Sequence, residues 1–209
     1  RWLLDAVETA NAALDAEGVG VGSVTSLEAD FSPSSVAMLF ALIGRSCVAV
    51  PLTDTVRDKK TEFREIGEIE VIITIDADDR PRFERTGVRA KHAHFQTLRE
   101  RNHPGLILYS SGSTGASKAA VHDLSFLLDK FKVQRQSKCT LTFLLFDHIG
   151  GINTLLYTLS NSGCVVTVED RSAESVCRAI ERHKVEILPT SPTFLNLLLL
   201  SEAYKKHDL

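Results

Sequence analysis

Residues 109–122 read YSSGSTGASKAAVH and follow directly on the apolar run Leu106, Ile107, Leu108. Seven of these fourteen positions are Gly, Ser or Thr, and a single lysine, Lys118, comes after them. Gly112 and Gly115 permit the positive-φ backbone that turns successive N–H groups toward one point. Ser110, Ser111, Ser113 and Thr114 add hydroxyls, and Lys118 adds a mobile full charge. Convergent donors with one cation suit a polyphosphate. The plainer use of the same residues is a polar surface turn. The Walker pattern GxxxxGK[ST] is not met, because Ser117 precedes Lys118 and Ala119 follows it. The dinucleotide fingerprint GxGxxG is absent as well. A phosphate loop here belongs to another class.

A second group able to do chemistry is Phe146-Asp147-His148-Ile149-Gly150-Gly151. Gly150 and Gly151 would leave room for a ligand beside a helix start, where free N–H groups favour anions. His148 could equally cap that helix or be satisfied in the core. Asp147, at a strand end, could equally cap the next helix.

The elements that must position these residues alternate between strand-like and helix-like periods, which argues for an α/β architecture. Val19 to Ser26 reads as a strand. Ser32 and Pro33 supply an N-cap and a first-turn proline, and Val36, Leu39, Phe40 and Ile43 form one apolar face up to Gly44. Cys47 to Pro51 returns as a strand, a charged helix covers about 55–66, and Ile69 to Ile75 is a buried strand. Residues 76–103 read as a polar, irregular, solvated connection. Leu106 to Ser110 and the short run Ala119 to Val121 are strands on either side of the glycine-rich loop, and a helix follows from about Asp123 to Phe131. Beyond the polar seam Lys132 to Lys138 the pattern restarts: strand Leu141–Phe146, helix Ile152–Leu159, strand Cys164–Val168, helix Ser172–His183, strand Val185–Leu188, and a last helix capped by Ser191-Pro192. The expected fold is two Rossmann-like α/β lobes with mostly parallel sheets flanked by helices. Residues 1–136 would form the lobe with the loop, and 137–209 the start of a second lobe.

Composition narrows the function. Hydrophobic residues make up 44% of the 209-residue chain and charged ones 24%, as in ordinary globular proteins. A net charge of −3 gives no general attraction to nucleic acid or to anionic membranes. No apolar stretch approaches the ~18 residues of a membrane span. The first residues show no leader pattern, position 1 is not methionine, and Arg1 is taken as the start of a cut or processed chain. Cys47, Cys139, Cys164 and Cys177 form no CxxC pair and cluster with no histidine, so they read as small buried thiols in a reducing cytoplasm.

The opening stretch resembles the phosphate-loop signature of the adenylate-forming enzymes, close to (Y/F)-(T/S)-S-G-(T/S)-T-G-x-P-K-G. This superfamily comprises the acyl- and aryl-CoA synthetases, firefly luciferase and the adenylation domains of peptide synthetases. Tyr109, Ser111, Gly112, Ser113, Thr114, Gly115 and Lys118 fall on the pattern, while Ser117 and Ala119 stand in place of its proline and glycine. The segment 34–52, ending Val-Pro-Leu, and residues 185–198 resemble further parts of the family. Phe146 to Gly151 is similar to its Phe-His-x-x-Gly motif.

The resemblance implies ATP-dependent activation of a carboxylic acid as an acyl-adenylate, then transfer to the thiol of coenzyme A or phosphopantetheine. It implies that Ser110 to Gly115 and Lys118 hold the ATP phosphates, with Thr114 reaching Mg²⁺ through them, and that Lys118 and His148 act in catalysis. Asp147, His148, Gly150 and Gly151 would line the acid pocket. The partners implied are ATP and a small carboxylic acid, with no nucleic acid and no membrane span. Phe146-Asp147 also matches the peptide-synthetase pair whose aspartate binds an amino group, so amino-acid adenylation is the alternative, beside a non-catalytic nucleotide-binding relative and a plain phosphate-binding domain. The family's magnesium-binding glutamate, ribose-binding aspartate and closing lysine match nothing after residue 122. The chain is therefore expected to be part of the large N-terminal domain of a longer enzyme and inactive alone.

Overall fold

A computed structural model of the chain describes residues 1–111 and 116–209, with Ser111 described in its backbone only. The chain divides into two compact units, Arg1–Asp129 and Lys130–Leu209.

The first unit is built on a six-stranded sheet. Helix α1 (Trp2–Ala16) precedes β1 (Val24–Glu28), α2 (Pro33–Gly44) and β2 (Val48–Leu52). A 3-10 turn (Asp54–Lys59) leads into α3 (Lys60–Ile66), β3 (Val71–Ile75), β4 (Pro81–Arg85) and α4 (Ala93–Arg101), and the unit closes with β5 (Gly105–Ser111), β6 (Ser117–Asp123) and α5 (Leu124–Asp129). Strand order is β4-β3-β1-β2-β5-β6. The four central strands run parallel, and β4 and β6 are antiparallel edges. All five residues of β1 and of β2 are buried, as parallel strands covered on both faces require. Val24, Val48, Val50, Leu52, Ile72 and Ile107 pack with Phe63 of α3 and Phe95 and Leu98 of α4.

Helix α2 forms where Ser32 and Pro33 predict it. The Ser32 hydroxyl accepts from Ser35 N at 3.1 Å, and the Ser35 hydroxyl accepts from Ser32 N at 2.8 Å. This reciprocal capping box is worth about 1 kcal/mol.

Three expectations need correction. Residues 19–23 are turn, so the first strand starts only at Val24. The charged helix is broken, with Val56 outside helical geometry, and α3 begins at Lys60. The stretch 76–103 is not an irregular connection. It holds β4 and α4, and Asp79 accepts from the Ser32 hydroxyl at 2.6 Å and Ser34 N at 3.1 Å. Strand β4 escaped notice because an exposed edge strand has little apolar alternation; its residues are intermediate or exposed throughout. The first residues, noted only for lacking a leader, form α1, which packs on α2.

The second unit pairs β7 (Cys139–Leu141) with β8 (Cys164–Val166) in parallel, connected through α6 (Ile149–Ser160). Helices α7 (Ala173–His183) and α8 (Pro192–Ser201) follow, and between them Ile187 makes a single bridge to Thr140 rather than a strand. The expected strand Leu141–Phe146 ends early because Phe143 N turns back to the Leu141 carbonyl at 3.0 Å, which breaks the ladder. Leu141, Val166, Val176, Ala179 and Phe194 form this unit's core.

Candidate active site

In the first unit the glycine-rich segment connects two antiparallel strands. Ser110 lies opposite Lys118 and Ser111 opposite Ser117. Among the described residues, Ser117 opens a strand rather than the helix that follows a Walker loop. Because β1, β2, β3 and β5 are parallel, the end of β5 lies at the carboxyl edge of the sheet, where open α/β sheets bind ligands.

The stem is rigidly held. Tyr109 stacks on Phe63 of α3, and its hydroxyl donates to the Phe63 carbonyl at 2.5 Å. Burial pushes the Tyr109 phenol well above its ordinary range, which keeps the hydroxyl protonated as the donor of this bond. Across the stem, Ser117 N donates to Glu62 Oε1 at 3.4 Å. The Ser117 hydroxyl is buried with no partner among the described residues. Ser110 and Lys118 are exposed. No carboxylate among the described residues pairs with Lys118, so its charge is free for an anion at the hairpin tip. Gly112, Ser113, Thr114 and Gly115 lie outside the described residues, and the phosphate contacts and the magnesium role expected of them lie there too. Among the described residues no group of three His, Cys, Asp or Glu side chains could hold a metal ion.

Sequence reasoning did not single out Phe63 and Glu62. Phe63 lies 46 positions from Tyr109, and only the packing of α3 against β6 brings the two segments together.

In the second unit, His148 is the N-cap residue of α6, with no side-chain cap bond. Its Nδ1 lies 2.7 Å from Asp147 Oδ1, with the Asp147 side chain 5% exposed and the His148 side chain 60% exposed. An Nδ1–H donated to this buried carboxylate leaves Nε2 as the ring's free nitrogen, facing solvent. Asp147 therefore orients His148.

The reason given for the two glycines changes. A Cβ on Gly151 would lie 2.0 Å from the Leu145 carbonyl oxygen, and one on Gly150 would lie 2.8 Å from Leu144 Cδ1. The space beside them is filled by the chain itself. They let α6 start tight against the segment 144–145, which places Asp147 and His148 at the turn.

A family model described as AMP-binding enzyme matches residues 1–209, the whole chain. The chain belongs to the AMP-binding enzyme family. AMP-binding enzymes of known structure share its fold. It aligns with the N-terminal domain of FACL13 from Mycobacterium tuberculosis, solved with an inhibitor, at a TM-score of 0.74 and 18% identity, over 99% of this chain and 59% of that one. It also aligns with o-succinylbenzoate CoA synthetase (MenE) from Bacillus subtilis, solved with its acyl-adenylate intermediate, at 0.71 and 19%, over 95% and 57%. Among curated proteins, 4-coumarate–CoA ligase-like 9 of Arabidopsis thaliana is 28% identical over 124 residues, 55% of this chain and 22% of that protein. The chain thus spans less than two thirds of the length of each of these relatives. No helix of the described residues is long and apolar enough to cross a membrane.

Proposed function

We propose that this AMP-binding enzyme activates a carboxylic acid with ATP and passes the acyl group to a thiol, as an acyl- or aryl-CoA ligase does. The observation that carries the reading is the hairpin at the carboxyl edge of the sheet, with Lys118 unpaired beside a tip of glycines and hydroxyls. A carboxylate is a poor acyl donor because its leaving group would be oxide. Joining it to the α-phosphate of ATP gives a mixed anhydride, with pyrophosphate departing. Ser110 to Gly115 hold the β- and γ-phosphates in this proposal, and Lys118 neutralises charge as it develops on them. Tyr109 and Phe63 keep the stem from yielding, so that these donors are in place before the reaction.

His148 Nε2 is the group proposed to meet the acid, with Asp147 fixing the ring. The alternative, amino-acid adenylation through Asp147, is the weaker reading because that carboxylate already engages His148. Coenzyme A or a phosphopantetheine thiol is the proposed acceptor, and the cytoplasm the proposed location. Mg²⁺ would be carried on the ATP phosphates in this proposal, with Thr114, which lies outside the described residues, reaching it through them. Solved relatives extend well beyond the matched part, and turnover is proposed to need the corresponding remainder of this protein.

The test is ATP–pyrophosphate exchange by the whole protein containing this chain, across fatty, aryl and amino acids. Exchange with fatty or aryl acids and none with amino acids is expected. Exchange with amino acids alone would transfer the assignment to the alternative.

A further inference from the structure

Cys139 and Cys164 are 25 positions apart in sequence, yet each is the first residue of its strand and the two are directly paired in parallel register. Side chains of paired residues project from the same face of a sheet. Their Cα atoms are therefore held about one strand spacing apart, ~4.8 Å, inside the window of roughly 4.4–6.8 Å that disulfides span. Both backbones are pinned. Cys139 N donates to Glu186 Oε2 at 2.8 Å, and Cys164 N donates to the Lys138 carbonyl at 3.0 Å. Against the expectation of four buried thiols, Cys139 is half-buried and Cys164 is exposed, because both sit at strand starts on the edge of the two-stranded sheet.

We infer that Cys139 and Cys164 are a dithiol pair that peroxide oxidises to an intramolecular disulfide, joining the starts of β7 and β8.

The steps balance. The exposed Cys164 sulfur attacks one oxygen of hydrogen peroxide, giving a sulfenic acid and one water. The Cys139 thiol then attacks the Cys164 sulfur, the S–S bond forms, and the sulfenic oxygen leaves with a proton as a second water. Two thiols lose two protons and two electrons, and the peroxide is reduced to two waters. The order of attack follows from exposure, because burial, followed by the nearness of Cys164, pushes the Cys139 thiol above its ordinary range. The register places a resolving thiol beside the exposed one, as reversible redox cysteines require. Cys47 and Cys177 are buried, and burial pushes the Cys47 thiol up to about 11. They stand as internal controls.

Trypsin provides a direct readout, since no Lys or Arg lies between Lys138 and Arg171 and one peptide, 139–171, holds both cysteines. After brief peroxide treatment of the folded protein and alkylation, this peptide should lose both alkylatable thiols and weigh two hydrogen atoms less than its reduced form. Cys47 and Cys177 should remain alkylatable. In Cys139→Ser the sulfenic acid should persist on Cys164 and be captured by dimedone, and in Cys164→Ser peptide 139–171 should keep its remaining thiol. A dimedone adduct on wild-type Cys164, a covalent dimer through it, a bridge to another cysteine, or no oxidation at all would each overturn the pairing.

Discussion

Tyr109 lies flat on Phe63, ring centroids 4.0 Å apart and planes 4° from parallel, while its hydroxyl bonds the carbonyl of the same phenylalanine. This one contact ties β5, and the loop that leaves it, to α3.

Gly67, just past the end of α3, is what lets the ring in. A Cβ there would stand 2.5 Å from the Tyr109 hydroxyl oxygen and 3.1 Å from the Phe63 carbonyl oxygen. Gly67→Ala is expected to cost about 1–3 kcal/mol by overpacking, and Tyr109→Phe about 0.5–1.5 kcal/mol for the lost hydrogen bond. Urea denaturation of both variants checks the ranking. Tyr109→Phe proving the more damaging would remove the glycine from this account.

Lys118 is exposed and unpaired among the described residues, so its removal should leave the fold alone. Lys118→Ala should reduce pyrophosphate exchange in the whole protein by about 10²–10³, the usual cost of one positioned electrostatic group, with an unchanged melting temperature. The proposal predicts a loss in rate larger than any loss in affinity for the acid. An unchanged rate with weakened acid binding would reassign Lys118 to the acid pocket.

Asp147 and His148 should behave as one unit. His148→Ala removes the ring, while Asp147→Asn keeps the shape but lets an amide face Nδ1. If Asp147 acts by holding His148, the double variant should lose no more activity than His148→Ala alone, because the two changes share one interaction. Multiplicative losses in kcat/KM would show that Asp147 meets the substrate independently, as the amino-acid reading requires.

His207 offers a pH test within the second unit. Its Nδ1 lies 2.8 Å from Glu181 Oε2 and its Nε2 lies 3.0 Å from Glu174 Oε1, fastening the last residues to α7. The bond to Glu181, then that to Glu174, raises the His207 pKa above its ordinary 6.5, and the bonds to His207 lower both glutamates below 4.5. A raised histidine stabilises the fold fully below its unfolded pKa, and that contribution is lost as pH rises through the folded value. Lowered glutamates act in the opposite sense, stabilising above 4.5 and losing the contribution as pH falls through their folded values. The clasp should therefore be strongest between 4.5 and 6.5 and weaken on both sides. Melting temperature against pH should show this dome in the native protein and a flatter profile in His207→Gln. Identical profiles would remove the clasp from the stability of this unit.

Much of this molecule was legible in its residues. Ser32 and Pro33 announce α2 because capping and proline geometry act within one turn of chain, and Ser172 and Ser191 announce α7 and α8 by the same local rule. The continuous burial of β2 shows in its apolar run, whereas β1 buries Thr25, Ser26 and Glu28, which no apolar pattern announces. The glycine-hydroxyl-lysine pattern at 110–118 identified the family because each position there answers a local demand of backbone or charge. What stayed hidden depends on residues far apart in sequence. The edge strand β4 has no core-facing pattern, since its stability comes from pairing with β3 along an exposed edge. The work of Asp79 as a helix cap, the seat of Tyr109 on Phe63, and the filling of the space beside Gly151 by the Leu145 carbonyl each join segments that only packing brings together. The register that sets Cys139 against Cys164 belongs with them. Strand pairing is decided by which buried faces meet, and no single strand carries that information alone.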